Sequence, residues 1–500
     1  MSNKIQQYLR EHKYNTAPDD TYSHIDKWLE WYQGDVEKFH TYKIYNGSMT
    51  TEHKRYSMGM AKKICEDWAN LILNEKVSIK AGSYEDRLNK ILEANNFRVR
   101  GNQLLELSYA LGTGAFVEYL GADGDVIIDY IRADTSDVRA ADMLYPLSWD
   151  NGDITECAFG TTRVMGGKER IYLQIHRFGR DENGERPDEY YIENRYIDAQ
   201  SGDEIDPPDE IEPMVPTGYG KPLFQIVSPN ICNNIDLDSP LGISVYANSI
   251  SQLKGCDLVY DSYMNEYILG RKRILVPLSV AKMQMQKDGV AVPTFDPSDS
   301  VYYQMPADRQ TDLKLTEVDM TIRAQEHELG IQRSLDVLSL KTGMGTGRYQ
   351  FDSAGVKTAT EVISDRSDLY QNLERNKIPV RAALQNLVRA VSWLDRGMEA
   401  EATVDFDDSI IEDINATIDR NIKLVQAGLR SKFMAIKDIE KCSDADAQKE
   451  LDRIAGDNQI TGQDIDWTQK DDPDDEGEGS EEDDADEFEP VKEPAGSGEH

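Results

Sequence analysis

The chain has 500 residues, with 55 Lys plus Arg against 92 Asp plus Glu, a formal net charge of −37 and a sequence pI near 4.5. That length leaves room for several domains and a large core, and such acidity disfavours nonspecific adhesion to nucleic acid. No window approaches about 18 consecutive apolar residues, so no membrane-spanning helix is expected.

The five cysteines, Cys65, Cys157, Cys232, Cys256 and Cys442, are odd in number, widely spaced and free of any CxxC pair. They are expected to be reduced, as in a protein assembled in cytosol. The N-terminus, MSNKIQQYLREHKY, is polar and lacks an apolar signal core.

Residues 1–57 are charged and rich in Tyr and Trp. Residues 22–39 predict an amphipathic helix, with Ile25, Trp28, Leu29, Tyr32, Val36 and Phe39 on its apolar face. Residues 58–73 predict another, and 84–96 and 102–111 two more. All four are expected to pack in a core. Strand signals begin at Ala115. AFVEYL, a GADGD turn and VIIDYI predict a hairpin, because the turn supplies the Gly and Asp that such connections need. ITECAFGTTRV, RIYLQIHRF and DEYYIENRYID extend a β-rich subdomain over about 115–228, with the acidic, proline-bearing stretch 203–216 as an exposed loop.

Ser239-Pro240 predicts a helix start, Ser as N-cap and Pro as first helical residue. The helix should run to Leu269, where Gly270 stops it and Arg271, Lys272 and Arg273 follow. Those cations suit a helix C-terminus; contact with DNA or a partner is the alternative. Residues 270–318 predict a small α/β excursion. The chain returns through a helix over 319–340, with Asp319 as N-cap and Ile322, Leu329, Leu335 and Leu338 at helical spacing.

A glycine-rich break over 342–359 separates this helix from a longer one, in which Val362 to Leu394 carry the apolar pattern. At ~1.5 Å per residue the second helix would be about 55 Å long. Pro379 inside it should kink or split it. A helix that long, fed by a glycine-rich loop, suggests an elongated subunit whose neighbours are other subunits. ATVDF predicts a strand, and 408–427, 431–440 and 443–454 predict helices. From Gly456 the chain turns polar. Residues 461–500 hold 17 Asp plus Glu against two Lys, a net of −15, which leaves −22 on the body. This tail is expected to be disordered.

Catalytic signatures are missing. Gly345, Gly347 and Gly355-Val356-Lys357-Thr358 only faintly resemble a phosphate loop: Val356 separates Gly from Lys, and position 350 is Gln. Gly112-Thr113-Gly114 breaks the dinucleotide fingerprint and reads as a packed turn. The seven His are scattered without metal-ligand spacing, there is no G-x-S-x-G, and nothing selects a pair among the many carboxylates. No catalytic residue, cofactor or metal site is expected.

The order of segments carries a family resemblance. MGMAKKICEDWANLILNEKVSIKAG, then ILEANNFRVRGNQLLELSYALGTGAFVEYLGADGDVIIDYIRAD, resemble the N-terminal part of tailed-bacteriophage portal proteins. SPLGISVYANSISQLKGCDLVYDSYMNEYILGRKRILVP is similar to their stem helix leading into the clip. TGRYQFDSAGVKTATEVISDRSDLYQNLERNKIPVRAALQNLV resembles the tunnel loop and the long helix after it, and DFDDSIIEDINATIDRNIKLVQAGLRSK the start of the crown. The likeness spans roughly 20–455 and is nearest to portals of long-tailed phages of Gram-positive bacteria.

The resemblance implies an α+β fold: an elongated subunit with long stem and wing helices, a β-rich wing subdomain, a small α/β clip and a helical crown. It implies an N-terminal region and wing over 1–238, stem helices at 239–269 and 319–341, and the clip at 270–318. The tunnel loop falls at 342–357, the long kinked wing helix at 358–396, the crown at 397–456 and the acidic tail at 457–500. It implies a homo-oligomeric ring of twelve subunits at one capsid vertex of the virion, assembled in the host cytoplasm. Double-stranded DNA would pass through the ring without sequence preference. Terminase, a head–tail adaptor, and capsid and scaffold proteins would bind it, and no membrane would. Arg348 and Lys357 are then the candidate DNA-channel contacts; the alternative is that both are solvated or pair with Asp352 and Glu361 on the same or a neighbouring subunit. Arg271, Lys272 and Arg273 are the candidate basic cluster of clip or stem. Tyr260 and Met264 are the candidate subunit interface, because the apolar stripe of 239–269 exceeds what one partner helix covers. Acidity suits a conduit: duplex DNA carries one charge per roughly 1.7 Å, so a basic lining would hold what must slide. The competing reading is an acidic intracellular scaffold or adaptor without DNA passage.

Overall fold

Helices dominate the first hundred residues: α1 (Lys4–Glu11), α2 (Asp19–Gln33), α3 (Glu37–His40), α4 (Met60–Ile72), α5 (Glu85–Ala94) and α6 (Phe97–Leu111). A hairpin, β1 (Thr41–Tyr45) with β2 (Thr50–Lys54), and the short β3 (Ser78–Lys80) interrupt them. The computed structural model describes residues 4–461 apart from 46–48, 75–76, 122, 134–142, 180–188, 209–210, 271–272, 278–282, 286–290, 294–301, 306–315, 319–320, 351–358, 407–413, 441 and 443. The helix expected over 22–39 is cut in two. Gly34 adopts φ +75° and donates its N–H to Trp31 O at 3.1 Å, an αL stop that a Cβ would disfavour.

Period-two alternation then builds one large sheet. Its strands are β4 (Gly114–Leu120), β5 (Val126–Arg132), β6 (Met143–Asp150), β7 (Asp153–Met165), β8 (Lys168–Phe178), β9 (Tyr190–Asp198), β10 (Glu204–Ile205), β11 (Met214–Pro216) and β12 (Phe224–Val227). The order is β10-β9-β8-β7-β6-β5-β4-β12, with β11 also on β9. The expected β4–β5 hairpin is present, antiparallel from Gly114↔Arg132 to Leu120↔Val126. Ile171, Leu173 and Ile175 of β8 point inward and are fully buried. Gly112-Thr113-Gly114 is a packed turn: a Cβ on Gly112 (φ +90°) would sit 2.4 Å from Gly242 O.

That contact overrides the helix start expected at Ser239-Pro240. Residues 239–246 are irregular, and α7 spans Ile250–Leu269. Backbone donors of the segment reach α6 instead of closing helical turns. Gly242 N–H donates to Thr113 Oγ1 (3.0 Å) and Val245 N–H to Tyr109 O (2.9 Å), which satisfies the last turn of α6.

Beyond α7 the described residues up to 318 are all strand, where an α/β mixture was expected. β13 (Arg273–Pro277) lies between β16 (Tyr302–Met305) and β17 (Thr316–Val318), and β14 (Met283–Met285) pairs β15 (Ala291–Pro293). α8 spans Ala324–Lys341, so it starts after Asp319, which lies outside the described residues. It runs antiparallel to α7. Arg323 grips Glu266 at one end, and further along a Cβ on Gly330 would come within 3.3 Å of Val259 Cγ1.

α9 (Ala359–Arg396) passes through Pro379 without a break. Proline has no N–H for the carbonyl four residues back, which is Arg375 O. Asn230 Nδ2 donates to that oxygen at 2.7 Å, so the orphan is satisfied from outside the helix. Leu373, Leu384, Leu387, Val388 and Val391 of α9 are buried, in one core with side chains of α2, α4, α6, α7, α8 and β4–β8. β18 (Thr403–Asp405) pairs with β3 and so belongs with the first 400 residues.

The chain divides into two compact units, 1–411 and 412–500, a division that falls later than the expected crown start at 397. The second unit holds α10 (Ile414–Gln426), α11 (Lys432–Glu440) and α12 (Asp444–Thr461). Asp438 ties it together, accepting from Arg420 (3.2 Å), Arg430 (2.9 Å) and Asn421 (3.0 Å). The fold is α+β.

Candidate functional site

Two features of the first unit fit a site without catalysis: the glycine loop after α8 and the outer surface of the α7–α8 pair. Gly343, Gly345 and Gly347 all take φ between +76° and +80°, a conformation that needs glycine. The loop is nonetheless held. Trp68 Nε1 of α4 donates to Thr342 O (3.2 Å), Asn372 Nδ2 of α9 to Gly343 O (3.2 Å) and Ser339 Oγ to Gly345 O (2.6 Å). Met344 is 2% exposed. Residues 342–345 are thus packed in place.

Arg348 follows at the surface. Its Nη2 is 3.7 Å from Asp67 Oδ1 on α4, and Lys63 Nζ approaches the same carboxylate oxygen at 2.7 Å. Arg348 therefore has a partner within its own chain, Asp67. Asp352 and Lys357 lie outside the described residues, and of Glu361 only the backbone is described. Gln332 Nε2 donates to Tyr349 O at 2.9 Å. Burial first, and the Asp67 carboxylate next, push the Tyr349 phenol above its ordinary range. Sequence reading missed Asp67. The signal for it was a carboxylate beside Trp68 on the apolar face of a helix.

Of the basic triplet, Arg271 and Lys272 lie outside the described residues, and Arg273 opens β13 opposite Val318. Tyr260 and Met264 are only half-buried, and Tyr260 packs on the core. The more exposed apolar groups are Leu258, Tyr267 and Ile268 on α7 and Leu329, Val337 and Leu340 on α8, each between 41% and 59% exposed. Leu329 and Leu340 are about three helical turns apart and share a face.

A buried polar knot fixes α7 to the N-terminal region. Val36 N–H donates to His40 Nδ1 (2.8 Å), so that nitrogen accepts and the ring proton sits on Nε2, 3.0 Å from Asp257 Oδ2. Met58 N–H (2.7 Å) and Ser57 Oγ (3.1 Å) also donate to Asp257. The other fully buried histidine, His176, is ringed by Phe159, Tyr190 and Phe224, and burial lowers its pKa to about 3. Among the described residues no three His, Cys, Asp or Glu side chains are placed to hold a metal, and no helix is long and apolar enough to cross a membrane.

Comparison with curated protein sequences gives no match. Among solved structures, the chain is similar to one described as "Neck of empty GTA particle computed with C6 symmetry", at 13% identity and TM-score 0.40, covering 85% of this chain and 95% of that one. It is also similar to "Neck of native GTA particle computed with C12 symmetry", at 12% identity and TM-score 0.36, covering 76% and 89%. A sequence model described as "Phage portal protein, SPP1 Gp6-like" matches residues 11–463, the run from the end of α1 through the three helices of the second unit. The chain belongs to the SPP1 Gp6-like family of phage portal proteins.

Proposed function

We infer that this portal protein forms a ring of twelve copies at one capsid vertex, through which double-stranded DNA is packaged and later ejected. The observation that carries the ring is the α7–α8 pair, which leaves six large apolar side chains uncovered. Of these, Leu329 and Leu340 share a face of α8, and an exposed apolar face of this kind marks an interaction site. Adjacent copies would bury it, with 239–269 and 319–341 as stem, 270–318 as clip and 397–456 as crown. In this reading terminase docks on the ring during packaging, and the head–tail adaptor, capsid and scaffold proteins bind it. It performs no chemistry of its own, and it resides in the virion after assembly in the host cytoplasm. The segment likeness further suggests a long-tailed phage of a Gram-positive host.

Electron microscopy of the purified protein tests the ring. Wild type should give annular particles with a central hole, whereas Leu329→Asp with Leu340→Asp should give soluble, folded protein and no rings. Rings from that double variant would remove this face from assembly, and a compact wild-type monomer would favour the adaptor reading. The channel loop is tested separately. Arg348→Ala with Lys357→Ala should leave rings intact and impair DNA packaging or retention in infected cells, since a phosphate contact acts on any sequence. Normal DNA-filled heads would exclude both residues.

A further inference from the structure

The loop after α8 is held in two tiers of different strength. The inner tier, 342–345, is bonded by Trp68, Asn372 and Ser339 and closed by buried Met344. In the outer tier, 346–349, the Tyr349 ring packs on the core beside Asp67, and two further contacts hold the segment: Gln332 with Tyr349 O, and Arg348 with Asp67. These two are unequal. Gln332 bonds at 2.9 Å, whereas Arg348 stands 3.7 Å from its carboxylate and is 36% exposed.

Asp67 is only 8% exposed. A buried carboxylate that loses its one partner is left strongly destabilised. Asp67 has two cations, and Lys63, at 2.7 Å from the neighbouring turn of the same helix, stays when Arg348 leaves. Departure of Arg348 therefore strands no charge. The departing guanidinium needs an anion in exchange, and the anion that the channel reading supplies is a DNA phosphate.

We propose that Asp67 is the docking residue of the channel loop: it holds Arg348 in a parked position, and a passing duplex phosphate takes Arg348 over while Lys63 keeps Asp67 neutralised. The inner tier is the fixed root of this movement. The proposal rests on the reading of the loop as channel-lining, and its two halves are tested apart. Asp67 is a positioning residue, not a DNA ligand.

The experiment uses the full-length assembled protein. Hydrogen exchange, without DNA, compares wild type with Asp67→Asn and Arg348→Gln. Arg348→Gln leaves the Asp67–Lys63 pair in place, so it controls for damage to α4. Both variants should speed exchange at 346–349 by several-fold, as expected for loss of a partly exposed ion pair, with 342–345 and α4 unchanged. Combining them should add nothing further. Unchanged exchange at 346–349 in both single variants would overturn the docking role and leave the channel reading standing. Binding of a short duplex at low salt is then measured. Asp67→Asn should bind more tightly than wild type, and Arg348→Gln and the double variant more weakly and equally so. Equal binding by wild type and Arg348→Gln would overturn the handover and with it the assignment of Arg348 to the channel. Weaker binding by Asp67→Asn would show that Asp67 presents Arg348 to DNA instead of parking it, which also overturns the proposal.

Discussion

Glu266 sits where α7 meets the start of α8 and ties the two helices together at that end. Arg323 donates Nε and Nη2 to its two oxygens, each at 3.0 Å, and His327 Nε2 lies 3.5 Å away. The hydrogen bonds from Arg323, above all, hold the Glu266 carboxyl down to about 2. A free Glu titrates near ~4.3. A carboxyl with a depressed folded value contributes stability above the unfolded value and loses it as pH falls through the folded one. Its contribution is therefore complete above about pH 5 and fades between about 4.3 and 2. Glu266→Gln should lower the melting temperature at pH 6, and the gap to wild type should close as the pH falls towards 2. A gap that stays constant over that window would show that the pair contributes shape and not charge. At this scale the sequence was only half legible. Arg348 stood out as a cation in a glycine loop, but Asp67 lies 281 positions earlier, and no periodicity links the two.

Among the elements, α9 tests how a long helix tolerates proline. Pro379 leaves Arg375 O without an intrahelical donor, and Asn230 supplies one at 2.7 Å. The same loop is held a second time, because Asn230 N–H donates to Asn376 Oδ1 at 2.9 Å. Asn230→Ala should then destabilise the protein by about 1 kcal/mol, the usual net value of such a bond plus some desolvation. In a Pro379→Ala background the new alanine N–H reaches Arg375 O, so the same substitution should cost clearly less. Chemical denaturation of the four proteins gives the coupling, and a coupling near zero would refute the compensation. The helix itself was legible, since its apolar spacing runs from Val362 to Leu394; its passage through Pro379 was not, because the compensating donor lies in a distant loop. The same holds for α7. Ser239-Pro240 has the local chemistry of a helix start, yet residues 239–246 stay irregular where Gly242 meets Gly112. In the large sheet, β4, β5, β7, β8 and β9 were legible from two-residue alternation and turn chemistry, whereas β6 and β12 were not, and the short β10 and β11 fall in the stretch 203–216 that was expected to be a loop.

Over the whole molecule the charge is unevenly placed. Residues 462–500 carry a net −15 of the chain's −37 and few apolar side chains. The boundary for removing them follows from α12, which reaches Thr461; a cut at Gly456, where the composition changes, would remove its last turn. A chain ending at Thr461 should therefore fold, melt at the wild-type temperature and form the same rings. It should differ in one respect. The missing charge repels DNA, so the shortened protein should bind duplex more tightly at low salt. The difference should vanish near 1 M, where screening acts over only ~3 Å. Microscopy and a salt titration of DNA binding check both halves. Loss of rings on truncation would make the tail part of the assembly. Unchanged DNA binding at low salt would place its charge too far from the DNA path to act on it.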